Sequence, residues 1–187
     1  MAGRIAVGYA LLASLATALS LALTDGTPWL HPRPWWSLEP LAAHAASAGL
    51  GLAAGLLLVV TSRAAVARFS WARLLSNELR PFARGLSSAQ IAAIASLSSI
   101  GEELLFRGLL QPWLGLLPAS VLFGALHQVG GPARIVWMTW ATAVGLLLGA
   151  IFSATGSLLG PIVAHAVVNA LNLASLRDSH ALGDRST

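Results

Sequence analysis

The chain has 187 residues, of which 56% are hydrophobic and only 10% charged, and its mean hydropathy is +0.74. That balance excludes an ordinary water-soluble domain and implies an all-helical integral membrane protein, with room for about six spans of roughly 20 residues and none for a large extramembrane domain. The net charge of +4 comes from eleven basic residues, all Arg, against seven acids; with no Cys, a disulfide framework, a thiolate nucleophile and a Cys-based metal site are excluded.

The first apolar segment, 5–24, follows Arg4. It is longer than a signal-peptide core and leads into further spans, so an uncleaved first helix is expected. Residues 25–40 read as a loop because Pro28, Pro32, Pro34 and Pro40 forbid a regular helix, and Trp29, Trp35 and Trp36 read as interfacial anchors. The second span, 41–60, is rich in Ala and Gly, which permits close helix approach, and its His44 reads as a packing or interface residue. In 63–84, five Arg interleave with Val66, Phe69, Trp71, Leu74, Leu75 and Leu79, the pattern of a basic amphipathic segment lying flat on the inner membrane surface. Spans at 87–108, 116–129, 135–155 and 157–173 follow, the one from 116 being short and expected to tilt or to be shielded by neighbours.

This order predicts one integral membrane domain over 1–187, with a basic cytoplasmic segment at 61–86. Arg placement follows the positive-inside rule rather than a nucleic-acid surface: with both termini inside, Arg4, the five-Arg stretch, Arg134, Arg177 and Arg185 fall on one face, and only Arg33 and Arg107 elsewhere.

Polar residues interrupt the later spans. Glu102 and Glu103 stand side by side in an apolar run, where each ionised group costs roughly 2.5–3.5 kcal/mol on insertion scales, so the pair is a functional-site hypothesis by default. Glu103 and Arg107 are four apart and can pair on one helix face, while Glu102 is turned about 100° away and is the freer carboxylate. His165 and Asn169 share a face of the last span, able to hold a developing oxyanion, and His127 sits on another helix. Asn172 reads as a capping or interface residue. Counting about 1.5 Å per residue, Glu102 lies about 20 Å from the cytoplasmic side and the two His roughly 12–17 Å from the other. The three helices thus bring their polar groups to a similar level, somewhat nearer the outer face.

The strings Glu102-Glu103-Leu-Leu-Phe-Arg107, Phe123-Gly-Ala-Leu-His127 and His165-Ala-Val-Val-Asn169 resemble, in order, the three motifs of the CAAX-protease and bacteriocin-processing family, also called CPBP or Abi. The resemblance covers roughly 87–173, nearly half the chain, implies a catalytic core there, and leaves the first two spans unassigned. It implies an intramembrane glutamate-type endopeptidase: Glu102 and His127 activate the attacking water, His165 and Asn169 hold the oxyanion, and Glu103 and Arg107 are the supporting pair. The implied substrate is a membrane-associated protein or peptide, such as a C-terminal anchor or sorting signal, with no cofactor, no metal and no nucleic acid; the implied location is the bacterial inner membrane. Two other readings stay open: a non-enzymatic immunity or scaffold protein, and a metal-dependent protease using Glu and His ligands, although the His-Glu-x-x-His and Glu-x-x-His spacings are missing.

Overall fold

The computed structural model describes residues 2–23 and 27–183; Thr24, Asp25 and the orientation marker Arg185 lie outside them. Within the described residues the chain is helical, with one isolated antiparallel bridge between Leu30 and Ser157. The helices are α1 (Ala2–Leu23), α2 (Pro40–Arg68), α3 (Ser70–Ala83), α4 (Ser88–Glu103), α5 (Gln111–Leu114), α6 (Leu116–Leu126), α7 (Arg134–Thr155) and α8 (Leu159–Gly183), with a π-helical stretch, Leu104–Leu110, joining α4 to α5. Five stretches are long and apolar enough to cross a bilayer: Gly3–Leu23, Pro40–Arg68, Ser88–Leu114, Arg134–Thr155 and Leu159–Ser179. Leu116–Leu126 is a shorter apolar sixth. The protein is a polytopic helical bundle.

Two boundaries differ from the sequence reading. The second span does not stop at 60 but runs on through Arg63 to Arg68, because nothing between Thr61 and Ala67 breaks a helix. The amphipathic segment is therefore a separate 14-residue helix, α3, starting after the extended Phe69. In the short segment from 116, α6 covers only 11 residues, about 16 Å, and the backbone leaves helical geometry at His127 (φ −83, ψ 84), ahead of Gly130, Gly131 and Pro132. Irregular backbone at membrane depth is tolerated where it lines a protein cavity.

Small residues set the helix spacing. Ala43, Ser47, Gly51 and Gly55 recur every fourth residue on α2 and are buried. A Cβ on Gly51 would stand 2.2 Å from the Gly160 carbonyl oxygen of α8, and one on Gly160 2.3 Å from that of Ser47, so the two backbones touch directly. Ser47 Oγ accepts from Gly160 N (2.8 Å) and donates to the Ser157 carbonyl (2.8 Å), and His44 Nδ1 pairs with Ser157 Oγ (2.8 Å), the interface role expected of that histidine.

The two ends of the bundle differ. At one, the loop after α1 folds over the α7–α8 turn: Trp35 and Trp36 donate backbone N–H groups to the Ser153 and Ala154 carbonyls, and His31 to Gly156. The indoles of Trp29, Trp35 and Trp36 are exposed, as anchors would be. Pro28 is buried against Gly108, where a Cβ would meet the Pro28 carbonyl at 2.7 Å. At the other end lie α3 with its arginines, the start of α1 and the end of α8: Ile5 packs with Leu86, Ile91 and Leu173, and Arg177 donates to Ser88 Oγ. Hence both ends of the described chain sit at the arginine-rich end.

Candidate active site

The paired glutamates close α4, and the helix widens immediately after them. Pro112 has no N–H to offer Gly108, and its ring would collide with that carbonyl in a regular α-helix; the π-helical stretch, in which Gln111 N bonds Phe106 O, relieves both conflicts. Arg107 and Gln111 then face α7 over its small residues. Arg107 Nη2 donates to the Gly145 carbonyl (3.1 Å), and Gln111 Nε2 to the Gly149 carbonyl and Ser153 Oγ (both 2.9 Å).

Glu103 and Arg107, 0% and 1% exposed, form the anticipated ion pair (Nη1 to Oε1, 3.0 Å). The Arg107 guanidinium also lies 4.4 Å from the Phe123 ring centroid, a cation–π contact to α6. The same Glu103 oxygen takes His165 Nδ1 of α8 at 2.7 Å, so one carboxylate ties α4, the π-helical stretch and α8 together. Sequence spacing did not show this contact, and it makes Glu103 more than a partner for Arg107.

Glu102, 8% exposed, points the other way, into a cavity of about 260 Å³. Its Oε2 lies 3.4 Å from His127 Nε2 and 3.8 Å from His165 Nε2. Three helices thus bring Glu102, His127 and His165 together. Asn169, one turn along α8 from His165, lines the same cavity and donates from Nδ2 to Ser98 Oγ (3.1 Å). Asn172 is a helix-interface residue, accepting from Ser62 Oγ of α2 (3.3 Å).

The ring tautomers follow from the partners. A carbonyl oxygen can only accept, so His127 Nδ1, 2.7 Å from the Phe123 carbonyl, carries its proton there; His165 Nδ1 likewise donates to Glu103. In their neutral forms both rings therefore turn an Nε2 lone pair toward Glu102. Lone pairs do not attract one another, and separations of 3.4 and 3.8 Å are long for direct hydrogen bonds. The geometry calls for hydrogen between them, carried by a proton or by a water.

Tyr9 of α1 also lines this cavity and its phenol interacts with Glu102; its backbone is pressed against Gly101, where a Cβ would stand 2.9 Å from the Tyr9 carbonyl oxygen. Spacing along the chain gives no reason to single it out. The available signal was its singularity: the chain has one Tyr, placed in an otherwise aliphatic span.

The cavity's remaining lining, including Leu79, Phe82, Asn172 and Leu176, leads toward α3. The cavity thus leads toward the arginine-rich end: α6 stops short and leaves space there, while Pro28 and its loop cover the π-helical stretch at the other. Among the described residues, no group of three His, Asp or Glu side chains has a metal-ligating arrangement.

Residues 84–171 match the family model described as "Type II CAAX prenyl endopeptidase Rce1-like", which bears out the resemblance carried by the three motifs. The chain is also 34% identical over 99 residues to an uncharacterized protein, YpbD, of Bacillus subtilis (strain 168), an overlap of 53% of this chain and 52% of that one. The chain thus spans about half the length of the curated relative it matches. No solved structure matches it.

Proposed function

We propose, from the match of residues 84–171 to the Rce1-like type II CAAX prenyl endopeptidase family model, that the protein is an intramembrane endopeptidase that hydrolyses a peptide bond of a membrane-associated protein or peptide. The observation that carries this reading is the convergence of Glu102 with two imidazole Nε2 atoms, 3.4 and 3.8 Å away, in a largely apolar cavity.

A water between Glu102 and His127 loses a proton to Glu102 as its oxygen attacks the scissile carbonyl carbon, while His127 Nε2 accepts a hydrogen bond from the remaining O–H and orients it, so that the carboxylate is the general base and the imidazole helps to activate the nucleophile. The carbonyl π bond breaks as the new C–O bond forms, leaving charge on the former carbonyl oxygen. Asn169 keeps one Nδ2 hydrogen beyond its bond to Ser98 and donates it to that oxygen, and His165, oriented by Glu103 on its Nδ1 at 2.7 Å, presents Nε2 to the same charge. Tyr9 adds a further hydroxyl donor. Collapse of the intermediate breaks the C–N bond, and the proton held by Glu102 passes to the leaving amine.

In this reading 1–187 acts as one membrane domain with its core at 87–173, and the basic segment 61–86 faces the cytoplasm, as the positive-inside rule requires of the arginine-rich end. Substrate then enters from the cytoplasmic side, past α3. The test is a comparison of membrane-protein termini in cells carrying the wild type or Glu102→Gln. New termini present in the wild type and missing in the variant are expected; identical sets of termini would overturn the proposal.

A further inference from the structure

A second cavity, of about 390 Å³, lies between α2, α3, α7 and α8. It falls within the size range of ligand pockets, and Val66, Trp71, Leu75 and Trp140 give it an apolar wall. Two guanidinium side chains, Arg63 and Arg80, line it as well. The Nε of Arg80 is shut off from solvent and has no hydrogen-bond acceptor. A screened cationic donor without an acceptor is costly, and a guanidinium fork matches phosphate oxygens. Among the described residues, the acids at this end are directed elsewhere: Glu78 lies against Gly131, and Asp178 pairs with Arg177 (2.8 Å).

We propose that this groove is a binding site for an anionic phospholipid, with its phosphate on Arg80 and Arg63 and an acyl chain along the Val66, Trp71, Leu75 and Trp140 wall. The placement agrees with depth: the cations sit where spanning helices end and an amphipathic helix begins, the level of lipid headgroups. A zwitterionic lipid brings its own ammonium and leaves the surrounding arginines uncompensated, whereas an anionic lipid matches them. The groove shares Leu79, Trp137, Trp140, Asn172 and Leu176 with the Glu102 cavity, so a lipid bound there forms part of the wall along which the cavity opens. The site does not depend on the proposed hydrolysis.

The test is native mass spectrometry of the full chain in a mild detergent, titrated with phosphatidylglycerol or phosphatidylcholine of the same acyl chains. Saturable binding of one phosphatidylglycerol is expected at a concentration at least ten-fold lower than that for phosphatidylcholine. Arg80→Gln, and separately Leu75→Trp, which fills the groove, should weaken it at least ten-fold, while Arg134→Gln, outside the groove, should leave it unchanged. Thermal melting checks that each variant is folded; should one fail, the other decides. Equal binding of the two lipids, phosphatidylglycerol binding that survives the folded variants, or its displacement by an acidic peptide would each overturn the assignment.

Discussion

Arg107→Met separates the supporting pair from the reacting groups. The substitution keeps an unbranched side chain of similar bulk and removes three contacts: the 3.0 Å ion pair with Glu103, the 3.1 Å hydrogen bond to the Gly145 carbonyl, and the cation–π contact with Phe123. Breaking one side of a buried ion pair costs about 3–5 kcal/mol, because the remaining charge is left without compensation. Glu103 still holds His165 Nδ1, which puts this variant near the lower figure, about 3 kcal/mol. For a chain of this length that corresponds to a fall in thermal midpoint of about 6–12 °C, read by intrinsic fluorescence in detergent. Glu103→Gln alone strands Arg107 and destabilises similarly. Combining the two removes both charges, so the double variant should be more stable than the sum of the single losses by about 0.5–3 kcal/mol. Strict additivity, or a melting point for Arg107→Met equal to that of the wild type, would refute the view that this pair holds α4, α7 and α8 together.

Glu102→Gln should leave the thermal midpoint within a few degrees of the wild type while lowering turnover by about 10²–10⁴-fold, the range for loss of a general base; equal loss of folding and turnover would count against a catalytic role. Tyr9→Phe should lower kcat with little change in KM, because its hydroxyl faces the reacting carboxylate, and a purely structural phenol would instead lower the melting point. Prolonged dialysis against a chelator should leave turnover unchanged; loss of activity restored by zinc would move the chemistry to a metal. Burial against Phe152 in the loop after α1 lowers the His31 pKa from its ordinary value near 6.5. Since the unfolded chain then binds the proton more readily, the stabilising contribution is complete above about pH 6.5 and is lost as pH falls through the folded value. His31→Asn should abolish that part of the acid sensitivity in a melting series from pH 8 to 5.

Much of the site was legible along the chain because helical spacing is a local property. Glu103 and Arg107, and likewise His165 and Asn169, are four apart, and that periodicity alone puts each pair on one face, while the hydropathy of the spans needs no knowledge of their neighbours. Tertiary packing decided the rest. Contact between Glu103 and His165 joins residues 62 apart, and the entry of Tyr9 into the cavity depends on α1 lying against Gly101. Backbone approaches such as Gly51 on Gly160 select which helices adjoin, and only that adjacency fixes the protons on the two imidazoles and the end of the bundle toward which the cavity leads. A sequence states its own periodicity, but the partners that saturate each donor and acceptor come from other helices, and close packing chooses them.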